Sequence, residues 1–213
     1  MIKAIIFDFG SVLFKTDWKE IDKDFVQIYQ KSIRIGENPE LVKVYLDAEV
    51  GKSTMKEFLS KIDPRLGNEE TINFYKKSYL KHKILNQGMR ELFSILKKKY
   101  LLYGFTDTNK EHFEANKEAG LFEDFNEIFT SFQFEMRKSE EGAFSKLLQN
   151  ISLEPQECLF IDDHAKNIEN ARKQGFEVIH YTSFPQMKTL EEELIRKKII
   201  SPESARKQMQ INS

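Results

Sequence analysis

A short apolar run that ends in a single acidic residue constrains the fold of this chain more than any other feature. Residues 4–7 are all apolar and lead directly into Asp8, and the pair Gly10-Ser11 breaks the run before three more apolar residues. A continuous apolar run of this length is typical of a strand buried at the centre of a parallel sheet. Because a buried carboxylate is costly and ligands bind at the carboxyl ends of such strands, Asp8 is a candidate for the centre of the chemistry. A simple turn-forming role for Asp8 is the alternative that this stretch leaves open.

The composition is that of a globular chain without a strong charge bias. It has 213 residues, 40% hydrophobic and 31% charged, with 33 basic and 34 acidic side chains and a formal net charge of -1. This length suits one domain, or one domain that carries an insertion. The balance of charge argues against a nucleic-acid partner, and no apolar run is long enough to span a bilayer. With Cys158 as the single cysteine, an intramolecular disulfide is impossible, and we expect a cytoplasmic protein.

Residues 16–85 carry helical periodicity and no strong strand signal. Four segments with apolar residues on one face begin near Asp17, Asn38, Ser53 and Asn68, and polar residues of these types are favoured helix N-caps. We therefore predict a small four-helix cap that is inserted after the first strand.

Strands and helices alternate from Gly88 onward. The predicted strands cover residues 100–105, 127–132, 158–161 and 178–181. The predicted helices between them start near residues 89, 110 and 140, and another, with Ile168 and Ala171, runs to Gly175. Such alternation indicates an α/β fold with a doubly wound parallel sheet and helices on both faces. We divide the chain into an α/β core (1–15 and 86–200), a helical cap (16–85), and a C-terminal helix or tail (201–213) that starts at Ser201-Pro202.

Polar residues follow the predicted strands at the points where those strands end. A parallel sheet brings these points to one edge, so one hydroxyl, one lysine and several carboxylates are expected to converge there. Clustered carboxylates repel one another unless a cation lies among them, and hard oxygen ligands suit Mg²⁺. A lysine and a hydroxyl can bind the equatorial oxygens of a phosphoryl group. The set indicates phosphoryl transfer, and its members are Asp8, Gly10, Thr106, Asp107, Lys138, Asp162, Asp163 and Asn167.

The segments around these residues resemble the four motifs of the haloacid dehalogenase-like superfamily in order and spacing. The first motif is Asp8-Phe9-Gly10-Ser11-Val12-Leu13, and the helical insertion lies where that family carries its small cap. Residues 105–109, 136–138 and 160–169 look most like bacterial sugar-phosphate phosphatases of the α-glucose-1-phosphate phosphatase type. The resemblance extends to about residue 185. It implies a phosphatase that works through an aspartyl-phosphate with Mg²⁺.

The resemblance also implies a metal site. Asp8 is the nucleophile and a metal ligand in this interpretation. The backbone carbonyl of Gly10 and the carboxylate of Asp163 are the other protein ligands, and Asp162 and Asn167 support them through water or hydrogen bonds. A role for Asp163 in capping the following helix is compatible with this assignment.

A phosphoryl-binding group is implied in the same way. Thr106 and the backbone N–H of Asp107 would hold the phosphoryl oxygens, and Lys138 would neutralise both nucleophile and phosphate. The alternatives are an ordinary strand-end hydroxyl for Thr106 and a solvated side chain for Lys138. The phosphoryl-transfer interpretation fails only if the purely structural roles of Asp163, Thr106 and Lys138 all hold at the same time.

Gly10 departs from the family pattern, because most phosphatases of this superfamily have a second Asp there that acts as general acid and base. General acid–base catalysis is typically worth about 10²–10⁴-fold, so its loss matters. A leaving group as acidic as an anomeric oxygen would need less protonation. Alternatively, Asp17, His82 or Asp107 substitutes for the missing group. A third possibility is a weak or inactive phosphatase that is kept for binding.

The resulting prediction is a Mg²⁺-dependent hydrolase of a small phosphomonoester, a sugar phosphate among the candidates. The alternative is a catalytically weak protein that binds a phosphorylated ligand or partner; a mutase is a weaker option. A dehalogenase is disfavoured, because the pair Asp162-Asp163 would repel a carboxylate substrate. The expected partner is a small phosphorylated substrate, with no nucleic acid and no membrane, and the protein is expected to be a monomer or weak homodimer. The cap should select the substrate, and its candidates are Trp18, Tyr45, Asp47, Glu49, Lys52 and His82.

Overall fold

The computed structural model describes residues 1–36 and 38–204 of the chain. Its strands are β1 (Ala4–Phe7), β2 (Phe14–Thr16), β3 (Lys83–Leu85), β4 (Leu101–Thr106), β5 (Glu127–Thr130), β6 (Cys158–Asp162) and β7 (Glu177–His180). Its α-helices are α1 (Trp18–Tyr29), α2 (Pro39–Glu49), α3 (Met55–Ile62), α4 (Glu69–Lys81), α5 (Met89–Leu96), α6 (Lys110–Glu118), α7 (Ser131–Phe134), α8 (Ala143–Ile151), α9 (Ala165–Lys173) and α10 (Met187–Arg196). None of the helices within these residues is long and apolar enough to cross a membrane.

The main sheet has the order β5-β4-β1-β6-β7, and every strand pair in it is parallel. The apolar run that opens the chain is therefore the central strand, as predicted. Alternate residues of β1 point to opposite faces: Ile5 and Phe7 pack with α5 and α10, whereas Ala4 and Ile6 pack with α8 and α9. Both faces are covered by helices, which confirms the doubly wound α/β fold.

A glycine in β4 creates the space for the residue that follows Asp8. A Cβ atom at Gly104 would lie 2.5 Å from Cζ of Phe9 and 2.7 Å from Cδ1 of Ile128. Because this position has no side chain, the Phe9 ring lies directly over the sheet and stacks on Phe122, with ring centroids 5.2 Å apart. This packing anchors the loop that carries Asp8.

Four helices, α1 to α4, lie between β2 and β3 and pack around a separate apolar cluster that includes Ile21, Phe25, Phe58 and Tyr75. The predicted caps Asp17, Asn38 and Asn68 accept backbone N–H groups at the starts of α1, α2 and α4. The prediction for α3 was wrong by one residue. Its cap is Thr54 rather than Ser53, because Thr54 and Glu57 bond reciprocally in a capping box.

The strands β2 and β3 were missed by the sequence prediction. They pair antiparallel, with Lys15 opposite Ile84, where the chain enters and leaves the four helices. Three residues are too few for a period-two pattern, and the partners lie about seventy positions apart, so no local signal marks this pairing. The strand pair forms a double connection between the helices and the sheet.

Two other boundaries differ from the prediction by more than one residue. The strand predicted over 127–132 ends at Thr130, because the Thr130 side chain accepts the backbone N–H of Gln133 and starts the short helix α7. The helix predicted from residue 140 begins at Ala143. The terminal helix that was predicted from Ser201 lies mostly outside the described residues, which include only its first turn up to residue 204.

Lys83 lies at the junction of β2 and β3 with its ammonium group between two aromatic rings. Its Nζ is 3.5 Å from the ring centroid of Phe14 and 3.8 Å from that of Tyr79. This nitrogen has no hydrogen-bond partner among the described residues. Burial lowers the pKa of Lys83 to about 7, since desolvation disfavours the charged form. Cation–π attraction to the two rings offsets part of that cost.

We expect Lys83→Met to stabilise the protein in a pH-dependent way. The unfolded chain binds more protons than the folded one between pH 7 and the ordinary lysine pKa, so wild-type stability rises with pH across this window. The variant should therefore exceed wild type by about 2 kcal/mol at pH 6.5 and by much less at pH 10. Urea unfolding at the two pH values measures this difference. Lys77→Met, on an exposed face of α4, is the control; an equal gain in both variants would contradict the prediction.

Candidate active site

Lys138 joins two carboxylates at the carboxyl edge of the central strands. Its Nζ donates to Oδ1 of Asp8 at 2.6 Å and to Oδ2 of Asp162 at 2.7 Å. All three side chains are buried, and the lysine is only 2% exposed. Asp163 completes the group, since one oxygen from each of the three aspartates lies within 4.8 Å of the others. The loops after β1 and β6 and the loop before α8 thus converge, as expected for a parallel sheet.

The charges in this cluster are not balanced. Burial raises the pKa of Asp8 to about 8, with Lys138 opposing the rise and Asp162 adding to it. Burial acting alone would lower the pKa of Lys138, but the carboxylates of Asp162 and Asp8 outweigh it and hold this pKa above its usual range. Lys138 is therefore a permanent cation, and one ammonium faces three carboxyl groups. Such a cluster favours an additional cation.

Asp162 is fully engaged by hydrogen bonds. Besides Lys138, its oxygens accept the backbone N–H of His164 at 2.7 Å and the amide of Asn167 at 3.1 and 3.3 Å. This arrangement fixes the carboxylate, and with it the lysine. Asp163 is half-buried, and its side chain interacts with that of Ser11. Asp163 therefore retains more freedom to bind a ligand than Asp162 does.

Thr106 and Asp107 lie at the end of β4, on the other side of Asp8. Thr106 is buried, and Oδ1 of Asp107 accepts the backbone N–H of Lys138 at 3.0 Å. Burial raises the pKa of Asp107, and Lys138 opposes the rise. Gly10 lies on the same loop as Asp8, where a Cβ atom would be 3.9 Å from Asp8 Oδ2, an ordinary contact distance. The structure therefore brings together every residue that the sequence singled out at the strand ends.

Asn170 was missed by sequence reasoning. Its amide donates to the backbone carbonyl of Lys138 at 2.8 Å and to that of Glu140 at 3.1 Å. Helix α9 thus holds in place the loop that carries Lys138, which we call the lysine loop. Asn170 is three positions after Asn167 and therefore on the same helix face. The three-residue spacing from Asn167 was the sequence signal that could have identified Asn170.

Helix α2 docks beside the lysine loop through Glu49. Arg137, the neighbour of Lys138, places its Nε 3.3 Å from Oε2 of Glu49 and donates from Nη2 to the carbonyl of Leu46 at 2.7 Å. The hydroxyl of Ser131 donates to the carbonyl of Glu49 at 2.5 Å. These bonds connect the four-helix insertion to the loop that carries the central cation.

A cavity of about 450 Å³ opens between the strand-end loops and the four helices. Three of the cap residues that the sequence suggested line it, namely Trp18, Tyr45 and Glu49. The other three lie elsewhere: Asp47 pairs with Lys43, Lys52 borders a separate surface groove with Asp47, and His82 bonds Asp24 at 2.9 Å. Residues that the sequence did not suggest also line the cavity, among them Lys15, Thr16, Tyr79 and Asn116.

The three proposed substitutes for the missing acid differ in position. Asp17 accepts the backbone N–H groups of Lys19 and Glu20 and serves as the cap of α1. The ring of His82 bonds Asp24. Asp107 lines the cavity. Of the three, Asp107 is therefore the one positioned to meet a ligand there.

Comparisons with known proteins agree with this geometry. The chain is 28% identical over 193 residues to D-ribitol-5-phosphate phosphatase from Bacteroides thetaiotaomicron. The alignment covers 83% of this chain and 90% of that relative. The fold of the present chain is similar to that of a haloacid dehalogenase-like enzyme from the same organism. In a magnesium complex of that enzyme the TM-score is 0.73 at 24% identity, with 89% of this chain and 98% of the other covered. For the complex of that enzyme with magnesium and inorganic phosphate, the TM-score is 0.68 at 21% identity, and the alignment covers 87% of this chain and 96% of the other. The family model for haloacid dehalogenase-like hydrolases matches residues 2–175, and the chain therefore belongs to that family.

Proposed function

We propose that this protein is a Mg²⁺-dependent phosphatase that hydrolyses a small phosphomonoester with a hydroxylated leaving group. The observation that carries the proposal is the buried Lys138, which bridges Asp8 and Asp162 beside the carboxylate of Asp163. A nucleophile, a fixed cation and a group of metal-binding carboxylates are the parts that phosphoryl transfer requires. The name of the relative from B. thetaiotaomicron supports both the reaction and the class of substrate.

The residues of the cluster fit a magnesium ion. Their oxygen atoms are hard ligands, and three carboxyl groups against one ammonium leave negative charge for a divalent cation to neutralise. Asp8, Asp163 and the carbonyl of Gly10 would hold the ion, with Asp162 and Asn167 in support. The bound ion would neutralise charge on the phosphoryl oxygens. It would also lower the pKa of Asp8 from the value of about 8 that the cluster has without it, so that Asp8 is ionised for attack.

Each remaining residue has one task in the proposed reaction. Oδ1 of Asp8 is held by Lys138, so Oδ2 attacks phosphorus, and the bond to the leaving alcohol breaks as an aspartyl-phosphate forms on Asp8. Water then attacks this intermediate, releases phosphate and restores the carboxylate. Thr106 and the backbone N–H of Asp107 hold the phosphoryl oxygens, while Lys138 offsets their charge. The helices that close the cavity exclude bulk water.

The leaving oxygen needs a proton when the alcohol is not acidic. Asp107 lines the cavity, and burial raises its pKa, which is the direction that favours a proton donor. We assign this role to Asp107. A catalytically weak binding protein is the alternative function, and the absence of a carboxylate at Gly10 is the observation that favours it.

Phosphate release from a panel of phosphomonoesters tests the proposal. The panel contains D-ribitol 5-phosphate, sugar 1-phosphates, sugar 6-phosphates and nucleotides, each with Mg²⁺ and with EDTA. We expect release from polyol and sugar phosphates that EDTA abolishes and added Mg²⁺ restores. Release that persists in EDTA would contradict the metal dependence. Binding of inorganic phosphate and Mg²⁺ without turnover of any ester would instead support the binding protein.

Gly10→Asp should raise turnover of phosphates with poor leaving groups. The new Cβ would lie in ordinary contact with Asp8 Oδ2, and the backbone of Gly10 is outside the left-handed region, so the fold should accept the side chain. We expect about a tenfold to hundredfold increase in kcat for a primary alkyl phosphate. p-Nitrophenyl phosphate, whose leaving group needs little protonation, should change little and is the internal control. Equal changes for both esters would contradict the view that a carboxylate at position 10 protonates the leaving oxygen better than Asp107 does.

A further inference from the structure

One carboxylate oxygen of the four-helix insertion is open to the cavity. Glu49 is the last residue of α2, and it lines the cavity together with Thr106 and Asp107. Arg137 bonds Oε2 of Glu49 at 3.3 Å, whereas Oε1 accepts no hydrogen bond from the described residues. The side chain is 20% exposed, so a ligand in the cavity can reach this oxygen. Oε1 of Glu49 is therefore a free hydrogen-bond acceptor in the cavity wall.

Glu49 is held in place through its backbone as well as through Oε2. The hydroxyl of Ser131 donates to the carbonyl of Glu49 at 2.5 Å and accepts the backbone N–H of Thr108 at 2.9 Å. Ser131 therefore ties the end of α2 to the loop after β4, which carries Asp107. A side chain that is already fixed at its backbone and at one oxygen loses little conformational freedom when its other oxygen binds a ligand.

Glu49 lies close to the reacting end of the cavity. Burial raises the pKa of Glu49, Arg137 opposes the rise, and the charge of Asp107 adds to it. Asp107 in turn accepts the backbone N–H of Lys138 at 3.0 Å, and the ammonium of Lys138 holds Asp8. A ligand whose phosphoryl group lies at Asp8 would therefore have its alcohol portion beside Glu49.

The donor that suits this oxygen is a hydroxyl. Arg137 already pairs with Glu49, so the carboxylate does not need a second positive charge. A hydroxyl supplies the missing hydrogen bond without the cost of desolvating an ammonium group. Thr16 and Tyr45, both half-buried, also line the cavity and add hydroxyls of their own to the wall.

Lys15 gives the cavity wall a positive charge at a different place. It is exposed on β2, and its Nζ lies 5.0 Å from the ring centroid of Phe184, a residue outside the lining of the cavity. An anionic group on a ligand would therefore bind toward the rim, near Lys15. It would not occupy Oε1 of Glu49, which needs a donor.

We propose that Glu49 is a specificity-determining residue, whose Oε1 accepts a hydroxyl of the alcohol portion of the substrate. Glu49 thereby favours phosphates of polyols or sugars over phosphates of plain alcohols. This inference rests on the proposed phosphatase function for its biological meaning. The hydrogen bond itself contributes to binding and can be tested without turnover.

Equilibrium binding by calorimetry provides that test. The Asp8→Asn protein, in Mg²⁺, is titrated with D-ribitol 5-phosphate, with inorganic phosphate and with n-pentyl phosphate, which has the same number of carbon atoms as the ribitol ester and no free hydroxyls. Removal of the Glu49 charge tightens every phosphate, so the readout is the affinity of each ester relative to inorganic phosphate. We expect Glu49→Leu in this background to lower that relative affinity about tenfold to hundredfold for D-ribitol 5-phosphate. The value for n-pentyl phosphate should stay unchanged or rise.

Two further variants separate recognition from a loss of structure. Glu49→Gln keeps an oxygen for Arg137 and presents an amide N–H to the cavity, and we expect it to lower the relative affinity for the polyol phosphate by about threefold to tenfold. Glu70→Gln makes the same substitution at an exposed position of α4 and should change no affinity. Equal losses for the two esters in Glu49→Leu would overturn the inference. So would an unchanged preference for the polyol phosphate in both Glu49 variants.

A matched pair of small esters tests the kind of donor. 2-Hydroxyethyl phosphate and 2-aminoethyl phosphate differ only in the group that would meet Glu49. We expect the Asp8→Asn protein to bind the hydroxyl ester at least as tightly, because Arg137 already balances the carboxylate charge. Tighter binding of the amino ester that is lost in Glu49→Leu would overturn the assignment to a hydroxyl.

The failure of this inference differs from the failure of the proposed function. If wild type hydrolyses no ester, but the calorimetric preference is present and Glu49→Leu removes it, the phosphatase proposal fails and the role of Glu49 stands. If wild type hydrolyses D-ribitol 5-phosphate and n-pentyl phosphate equally well, and Glu49→Leu leaves that ratio unchanged, the phosphatase stands and the role of Glu49 fails.

Discussion

Asp8→Asn is expected to lower phosphate release by about 10⁴-fold or more, because an amide cannot attack phosphorus and form the acyl phosphate. The substitution preserves the shape of the side chain, and the amide oxygen can still accept from Lys138 Nζ, which lies 2.6 Å from Asp8 Oδ1 in the wild type. It also removes one of three clustered carboxyl groups. The folded state should therefore be as stable as wild type or more stable. Initial rates in Mg²⁺ and thermal unfolding measure the two effects.

Asp124→Asn is the matched control for this variant. Asp124 pairs with Lys97 on the surface, with the two atoms 2.6 Å apart, and its replacement should leave turnover unchanged. If Asp8→Asn retained the turnover of wild type and of this control, Asp8 would not be the nucleophile. If it lost both turnover and its cooperative thermal transition, Asp8 would be a structural residue.

Lys138→Met should reduce both stability and activity by large amounts. The substitution leaves Asp8 and Asp162 buried without the ammonium that pairs them, which typically costs about 3–5 kcal/mol. Turnover should fall by about 10³-fold, because the fixed positive charge next to the phosphoryl group is lost. Urea unfolding and initial rates measure the two losses.

The stability loss should depend on pH and on metal. In the variant, the unpaired carboxyl groups hold protons more tightly in the folded state than in the unfolded state. Stability therefore rises as pH falls, and the loss should be smaller at pH 5 than at pH 8. Mg²⁺ should restore part of it by neutralising the same carboxylates. A loss that is equal at both pH values would contradict this electrostatic account.

Lys146→Met provides the comparison for a lysine outside the cluster. Lys146 is half-buried on α8 and donates to the carbonyl of Phe134 at 3.0 Å. We expect a change in stability of about 1 kcal/mol or less and no change in turnover. A loss as large as that of Lys138→Met would show that removing any buried ammonium has the same effect.

The sequence was sufficient to predict the central strand and the convergence of the strand ends. The apolar run before Asp8 could be stable only inside a sheet, and the alternation after Gly88 made that sheet parallel. Parallel topology then requires that Asp8, Thr106, Lys138 and Asp162 meet at one edge. The predicted edge was correct because it follows from chain direction, not from any detail of side-chain packing.

The sequence did not reveal which residues of the four-helix insertion face the cavity. Periodicity identifies the apolar face of each helix, but it does not determine how that helix docks on another part of the chain. Asp47 and Glu49 are two positions apart on α2, yet Asp47 pairs with Lys43 and Glu49 meets Arg137. Asp47 and Glu49 have different partners because α2 packs against the lysine loop on the side of Glu49.

By itself, the sequence determined the fold class, the edge of the sheet where polar groups gather and the excess of carboxylates over lysine there. These follow from local patterns and from the geometry that all parallel sheets share. Only the tertiary structure decided that Lys138 bridges Asp8 and Asp162, that Lys83 lies between two rings, and that Asn170 bonds the backbone of Lys138. Each of these depends on contacts between residues far apart in the chain, and their distances are set by packing, which no local pattern encodes.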